Sequence, residues 1–203
     1  MECLLGLARQ AIWFLVTPTV ARSVMGLEEH IRNIPGFPIP GIQFKDITPL
    51  LRDPESLRQS VDQLASQWAG RSVDYVVGIE SRGFILGAPL AYLLSAGFVP
   101  VRKPGKLPAD IVSAEYSLEY GVNRLEMHRD AIEPGKRVLI VDDLLATGGS
   151  ARAAAQLVES VGGIVAGMSF LIELGSLHGR EKLACYDVRS LITFEEVPSN
   201  EQA

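Results

Sequence analysis

Residues 137–150 read RVLIVDDLLATGGS, a run of apolar residues that turns into two acids and then into small residues. Residues 137–142 predict a buried strand, because a short apolar run rich in Val and Ile suits a strand covered on both faces. Two glycines lead from it into an alanine-rich helix predicted at 151–161. A strand followed directly by a helix is the unit from which α/β sheets are built.

The same alternation of strand and helix recurs along the chain. Short apolar runs predict further strands, at 74–79, 98–101 and 164–174. Periodic apolar residues predict helices, at 27–34, between Asp53 and Gly70, and from Gly83 to Leu94. Pro100 favours an edge position for its strand, and alternating segments around Tyr116 and 125–127 predict a β-hairpin or flap. This pattern indicates an α/β fold, a mostly parallel twisted sheet with helices on both faces.

The composition is that of a globular domain. Its 203 residues suit one domain, and 47% hydrophobic with 21% charged residues are close to the globular average. A net charge of -5 argues against a nucleic-acid partner, which usually shows as a basic surface. The two cysteines and three histidines have no metal-ligand spacing, so we expect no metal held by protein ligands alone. The reducing cytoplasm is the simplest expected compartment.

Residues 1–24 are apolar-rich but interrupted by an Arg-Gln pair. Their longest uninterrupted apolar run, 11–16, is far below the ~20 residues of a membrane helix, so we expect no membrane span. The first residues lack the basic charge of a signal peptide, whereas an organellar transit peptide stays open as an alternative. We interpret 25–203 as the domain and 1–24 as an N-terminal extension, with a start-site artefact as a further alternative.

Ligands of parallel α/β sheets bind beyond the carboxyl ends of the strands, where three polar stretches fall. In the first, Asp142 and Asp143 end a strand and precede a glycine-rich helix start, whose N–H groups and dipole suit an anion. The candidate phosphate ligands are Ala146, Thr147, Gly148, Gly149 and Ser150. The two acids suit sugar hydroxyls, with Mg²⁺ offsetting their charge. The alternative is an ordinary strand end with solvent-facing acids.

The string 141–150 resembles the phosphoribosyl-pyrophosphate signature of type I phosphoribosyltransferases. It lacks the Gly-Lys-Ser/Thr ending of a nucleoside-triphosphate P-loop. The resemblance extends over about residues 27–192, and implies the type I fold with a small hood and a flexible flap. It also implies that the paired acids hold the ribose hydroxyls, that the following loop holds the 5-phosphate, and that Mg²⁺ is bound mainly through the donor substrate.

The second stretch, 37–51, has three prolines and one glycine and predicts a rigid segment without regular structure. Phe44 suits stacking on a flat heterocycle, and the alternative is a core position. The stretch resembles the purine-binding hood of adenine phosphoribosyltransferases, which implies a base site formed by Gln43, Phe44 and Lys45. Many relatives carry Arg where this chain has Lys45, so a side-chain contact to the base and a backbone contact both stay open.

The third stretch, 78–84, is a strand-to-helix turn with Arg82, whose planar fork suits pyrophosphate. The alternative is a surface arginine paired with Glu80. The resemblance implies that Arg82 contacts the pyrophosphate, together with Arg102 and Lys106 from a loop able to close over the donor and exclude water. That loop could instead be a solvated basic run.

Residues 116–121 resemble the flap of the same family, which implies that Glu119 lies near the base and handles its proton. An exposed flap glutamate is the alternative. The resemblance as a whole implies an enzyme of purine salvage that makes AMP and pyrophosphate from adenine and phosphoribosyl pyrophosphate, and a homodimer. The open alternatives are a phosphoribosyltransferase for another base and a regulator that senses the donor.

Overall fold

The computed structural model describes residues 26–117 and 122–195. They form strands β1 (Arg32–Pro35), β2 (Gln43–Asp46), β3 (Tyr75–Ile79), β4 (Gly97–Val101), β5 (Ile111–Ser117), β6 (Val122–His128), β7 (Arg137–Leu145), β8 (Ile164–Leu174) and β9 (Val188–Phe194). The α-helices are α1 (Thr48–Arg52), α2 (Pro54–Gln67), α3 (Arg82–Leu93) and α4 (Gly149–Ser160). Short 3-10 helices occur at Leu27–His30, Gly175–Leu177 and Gly179–Leu183.

Five strands form one parallel sheet in the order β4-β3-β7-β8-β9. β7 lies at its centre, and β4, which contains Pro100, lies at an edge as the sequence predicts. Because all five strands run in the same direction, their carboxyl ends meet along one side of the sheet, which we call the carboxyl edge. β5 and β6 form the predicted antiparallel hairpin outside this sheet.

The sheet is covered on both faces, and alternate residues of β7 point to opposite sides. Val138 and Ile140 pack in one core with α4 and the β5–β6 hairpin. Leu139 and Val141 pack in a second core with α1, α2 and α3. The predicted α/β fold with helices on both faces is therefore confirmed.

Helix α2 begins where the sequence predicts. The carboxylate of Asp53 accepts a hydrogen bond from the Ser56 N–H at 2.8 Å and serves as the N-cap. Pro54 occupies the first helical position, where its missing N–H costs nothing. The helix ends at Gln67, and Gly70 follows it with φ +75°.

Two local predictions are wrong. The helix expected at 27–34 is only the 3-10 turn Leu27–His30, followed by β1. The segment 37–51, expected without regular structure, contains β2 and α1. For the two strands the reason is their mutual pairing: β1 and β2 form an antiparallel ribbon, and the local pattern of each segment does not report its partner.

Two of the predicted features lie outside the described residues. They are the N-terminal extension 1–24 and the flap glutamate Glu119, so the domain boundary and the role of Glu119 stay predictions. Within residues 26–117 and 122–195, none of the helices combines the length and the apolar character needed to cross a membrane.

Candidate functional site

The central strand carries the acid pair, Asp142 and Asp143, at the carboxyl edge. β7 continues past both acids to Leu145 and stays paired with β8, so strand hydrogen bonds hold their backbone. Asp142 is only 8% exposed and Asp143 only 4%. The Asp142 carboxylate also accepts a hydrogen bond from the Asp143 N–H at 2.9 Å. The alternative interpretation of the sequence, an ordinary strand end with solvent-facing acids, is therefore wrong.

The acid pair is electrostatically unfavourable. Burial raises the pKa of Asp142 well above its ordinary value, and the neighbouring Asp143 carboxylate raises it further. Burial also raises the pKa of Asp143, although Arg82 opposes this shift. The Arg82 Nε lies 2.8 Å from Asp143 Oδ2. The positive charge of this one guanidinium also lowers the pKa of Asp142, so a single cation offsets two buried carboxylates. Such a site favours ligands that donate hydrogen bonds or bring a cation, and perturbed carboxylates of this kind are typical of functional sites.

The phosphate loop, residues 146–150, links β7 to α4 and lies against a second backbone turn. Gly148 has φ +75°, a value that glycine adopts without strain. A Cβ at Gly148 would lie 2.5 Å from the Gly179 carbonyl oxygen, and a Cβ at Gly179 would overlap the Ala146 carbonyl oxygen. The loop therefore needs glycine at both positions. Gly179 was missed from the sequence, because nothing local marks it as a neighbour of the loop.

Arg82 opens α3 and brings two of the predicted subsites together. Its Nε pairs with Asp143, and its Cζ lies 5.4 Å from the centre of the Phe44 ring. α3 starts close to β7, since a Cβ at Gly83 would lie 2.8 Å from the Val141 carbonyl oxygen. Arg82 thus pairs with Asp143 rather than with Glu80, and contacts both the candidate base site and the acid pair.

The cationic loop, residues 102–106, lies beside the turn that carries Arg82. Glu80 accepts hydrogen bonds from Arg102 Nε at 3.3 Å and from the Lys103 N–H at 2.9 Å. Burial raises the pKa of Glu80, but the hydrogen bonds from Lys103 and Arg102 outweigh it, so the net shift is downward. The Arg102 guanidinium also donates to the Lys106 carbonyl at 3.1 Å. The loop is therefore anchored rather than merely solvated.

A second acid holds the same loop from the hairpin side. Glu126 of β6 is 5% exposed, and its carboxylate accepts a hydrogen bond from the Gly105 N–H at 3.0 Å. Glu126 was not found from the sequence, because an acid inside an alternating strand pattern gives no sign of a loop across from it. The Lys106 side chain is exposed on the loop surface, next to Glu80.

The candidate base site is the end of the β1–β2 ribbon. Side chains alternate along β2, so Phe44 and Lys45 face opposite sides. Phe44 is half-buried with its ring 5.1 Å from that of Phe37, and Gln43 is exposed. Lys45 is 5% exposed, with its ammonium 4.0 Å from the centre of the Phe194 ring. The ring of Phe44 thus keeps part of its surface exposed beside Phe37 and Arg82, whereas the Lys45 side chain is engaged with the body of the domain.

The acid pair does not make a metal site by itself. Across residues 26–117 and 122–195, no three His, Cys, Asp or Glu side chains converge in a way that could hold a metal ion. Two carboxylates at one strand end do fit Mg²⁺, which is commonly bound by one or two protein carboxylates together with substrate phosphates and water.

The parallel sheet, the acid pair and the phosphate loop on its carboxyl edge define a class of protein. A family model described as the phosphoribosyl transferase domain matches residues 47–202, which include α1 to β9 and all three elements of this site. The fold and the site are thus those of a phosphoribosyltransferase.

Comparison with individual proteins narrows the class. The adenine phosphoribosyltransferase of Roseiflexus sp. (strain RS-1) is 58% identical over 168 residues, 83% of this chain and 98% of the relative. That of Clostridium perfringens (strain 13 / Type A) is 58% identical over 171 residues, 84% of this chain and 99% of its own. The chain belongs to the adenine phosphoribosyltransferases, a family of transferase enzymes.

Solved structures agree with this assignment. The adenine phosphoribosyltransferase of Thermoanaerobacter pseudethanolicus superposes with a TM-score of 0.81 at 57% identity, over 83% of this chain and 98% of the other. The Saccharomyces cerevisiae enzyme, solved with an imino-altritol bisphosphate and adenine, has a TM-score of 0.77 at 43% identity, over 81% and 96% of the two chains. The likeness therefore extends over more than four fifths of the chain.

Proposed function

We propose that the chain transfers the 5-phosphoribosyl group of phosphoribosyl pyrophosphate to adenine, giving AMP and pyrophosphate in purine salvage. The observation that carries the proposal is the meeting of Asp143, Arg82 and Phe44 at the carboxyl edge, beside the phosphate loop. Arg82 there contacts both an acid that suits sugar hydroxyls and an aromatic ring that suits stacking on a nucleobase. The names of the relatives support adenine as the base.

The donor would lie along the carboxyl edge. Asp142 and Asp143 accept hydrogen bonds from the ribose hydroxyls, and the N–H groups of the phosphate loop bind the 5-phosphate. Arg82, Arg102 and Lys106 face the pyrophosphate, which leaves as the bond from C1′ to its oxygen breaks. Mg²⁺, when bound through the donor, would supply further positive charge for the leaving group.

Adenine would stack on Phe44, with backbone groups of Gln43 and Lys45 next to its edge. Because the Lys45 side chain packs against Phe194, we propose that Lys45 contacts the base through its backbone. The base nitrogen attacks C1′ as the sugar becomes oxocarbenium-like, and the nitrogen then gives up its proton. We propose that Glu119 handles this proton. Holding both reactants in line provides much of the rate enhancement.

The direct test is pyrophosphate release with Mg²⁺, the donor and each base in turn. We expect turnover with adenine and none with hypoxanthine, guanine, xanthine or orotate. In Phe44→Ala, the KM for adenine should rise about 10- to 100-fold, the usual value of aromatic stacking on a base, while the KM for the donor stays unchanged. Phe44→Tyr keeps the ring and should keep the KM for adenine near the wild-type value.

Two results would contradict this proposal in different ways. Turnover with another base in place of adenine would identify a phosphoribosyltransferase of different specificity. Donor binding without turnover on any base would favour a donor-sensing regulator. Against the regulator, the described site has both the acid pair and a base-stacking aromatic, and the net charge of -5 does not suit a nucleic-acid partner.

We also propose a cytoplasmic homodimer. Ile85, Tyr92 and Leu93 lie on one face of α3 and are 45%, 83% and 47% exposed, an apolar surface that a second copy would cover. Sedimentation should give twice the 22.0 kDa chain mass, and Tyr92→Glu should shift it to the single-chain mass. The control Gln63→Glu, on the exposed side of α2, should leave the dimer intact. A monomeric wild type would overturn the homodimer.

The exposed free thiol of Cys185 is compatible with a reducing compartment.

A further inference from the structure

A short segment behind the phosphate loop determines where that loop lies. Gly179 packs its backbone directly on the backbone of Ala146 and Gly148, and a Cβ on Gly179 would come within 3.0 Å of the Gly148 nitrogen. This contact involves no side chain of the phosphate loop. Any movement of Gly179 therefore moves the N–H groups that we propose as ligands of the 5-phosphate.

The residue after Gly179 is held by a buried acid. Arg180 donates from Nε and Nη2 to the two carboxylate oxygens of Glu173, each at 2.6 Å. The Arg180 Nη1 also donates to the Val188 carbonyl at 2.8 Å, and the Ser190 hydroxyl donates to Glu173 at 2.7 Å. A two-bond pair between a planar guanidinium and a carboxylate fixes orientation as well as distance.

The position of this ion pair links it to the loop rather than to the base site. Glu173 lies at the carboxyl end of β8, with a side chain only 8% exposed, and Ser190 belongs to the neighbouring β9. The pair ties the Gly179 turn to two strands of the sheet, on the opposite side of β7 from Arg82 and the cationic loop. Leu183, fully buried in the core with α4, anchors the rest of the turn independently.

We propose that Glu173 and Arg180 are positioning residues for the phosphate loop, holding Gly179 in the place that sets the loop's N–H groups for a phosphate monoester. The inference rests on the proposed function, since it assigns the 5-phosphate of the donor to this loop. Preorganised donors of this kind depend on the shell that supports them, and small displacements weaken binding strongly.

The test compares Glu173→Gln, Arg180→Met and Arg180→Lys with the wild-type enzyme. We expect the KM for the donor to rise about 10- to 100-fold in Glu173→Gln and Arg180→Met, with the KM for adenine unchanged. Inhibition by ribose 5-phosphate, which carries the same phosphate, should weaken by the same factor, and inhibition by pyrophosphate should not change. Arg180→Lys, which keeps one charged hydrogen bond, should recover part of the loss.

The matched control is Glu181→Gln, in the same turn but with a side chain 80% exposed and only a long contact to His178. Its kinetics should equal those of the wild type. The inference is overturned if the Glu173 and Arg180 variants raise the KM for adenine as much as that for the donor. It is equally overturned if their thermal midpoint falls while the affinity for ribose 5-phosphate stays the same. A wild-type enzyme that turns over no base would instead defeat the proposed function.

Discussion

Replacing Asp142 and Asp143 together with asparagine is expected to lower kcat/KM for the donor by about 10³-fold or more, the loss typical of removing electrostatic groups from an active site. Asparagine keeps the size of each side chain, so we expect the fold to be preserved while each side chain loses its negative charge and one of its two acceptor oxygens. The measurement is pyrophosphate release with adenine at varied donor concentration. Asp130→Asn, an exposed acid outside the site, is the control and should have wild-type kinetics.

The single variant Asp142→Asn separates function from stability. Burial and then the Asp143 charge raise the pKa of Asp142 in the folded chain, so ionised Asp142 destabilises the fold. The contribution of Asp142 to the stability of the wild type is therefore fully present below the ordinary carboxyl pKa and is lost as the pH rises through the raised folded value. At neutral pH the variant should melt at a higher temperature than the wild type, and this difference should shrink as the pH is lowered.

Thermal unfolding from acidic to neutral pH, followed for both proteins, measures this difference. A higher melting temperature joined to lost activity is the pattern of a residue selected for function at the expense of stability. If Asp142→Asn instead melted lower at neutral pH and kept its activity, Asp142 would be a structural acid and its role at the donor site would be lost.

Gly148→Ala is expected to damage both the fold and donor binding. A left-handed alanine costs about 1–2 kcal/mol by itself, and at Gly148 its Cβ would also lie 2.5 Å from the Gly179 carbonyl oxygen. The loop must move to relieve this contact, and displaced N–H groups should raise the KM for the donor by about 100-fold. Donor kinetics and thermal unfolding measure the two effects.

Gly70→Ala is a control matched in backbone conformation. Gly70 has the same φ of +75°, but a Cβ there would meet nothing within 4 Å, and it lies between α2 and β3, away from the acid pair. It should lose only the ~1–2 kcal/mol of backbone strain and keep normal kinetics. Equal kinetics for the two alanine variants would show that the contact between Gly148 and Gly179 does not control the loop.

The parallel sheet was predictable because its signals are local. Each central strand is a continuous apolar run bounded by turns. Helix α2 is indicated by the N-cap Asp53, by Pro54 at the first helical position and by its apolar stripe. The acid pair was predictable for the same reason, since strand, acids and glycine loop are contiguous in the chain. Assigning the acid pair and the glycine loop to a ligand site needed only the general rule that ligands bind at the carboxyl ends of parallel strands.

Partners distant in sequence were not predictable in the same way. Phe44 and Arg82 are 38 positions apart, and neither pattern indicates that their side chains meet or that Asp143 completes the cluster. β9 was missed because its residues 188–194 show mixed polarity at the edge of the sheet. The strands of the β1–β2 ribbon were missed because short segments take strand structure only when a partner satisfies their backbone.

The sequence alone thus determined the α/β class, the carboxyl-edge acid pair and the phosphate loop, because these depend on neighbours along the chain. Only the tertiary structure decided that Arg82 joins Asp143 to Phe44, that Glu80 and Glu126 anchor the cationic loop, and that Gly179 supports the phosphate loop. The physical reason is that these contacts arise where separate segments pack. The distances in these contacts follow from how the strands pair and how the two cores pack. The hydrophobic periodicity of a segment does not indicate which distant segment it will contact.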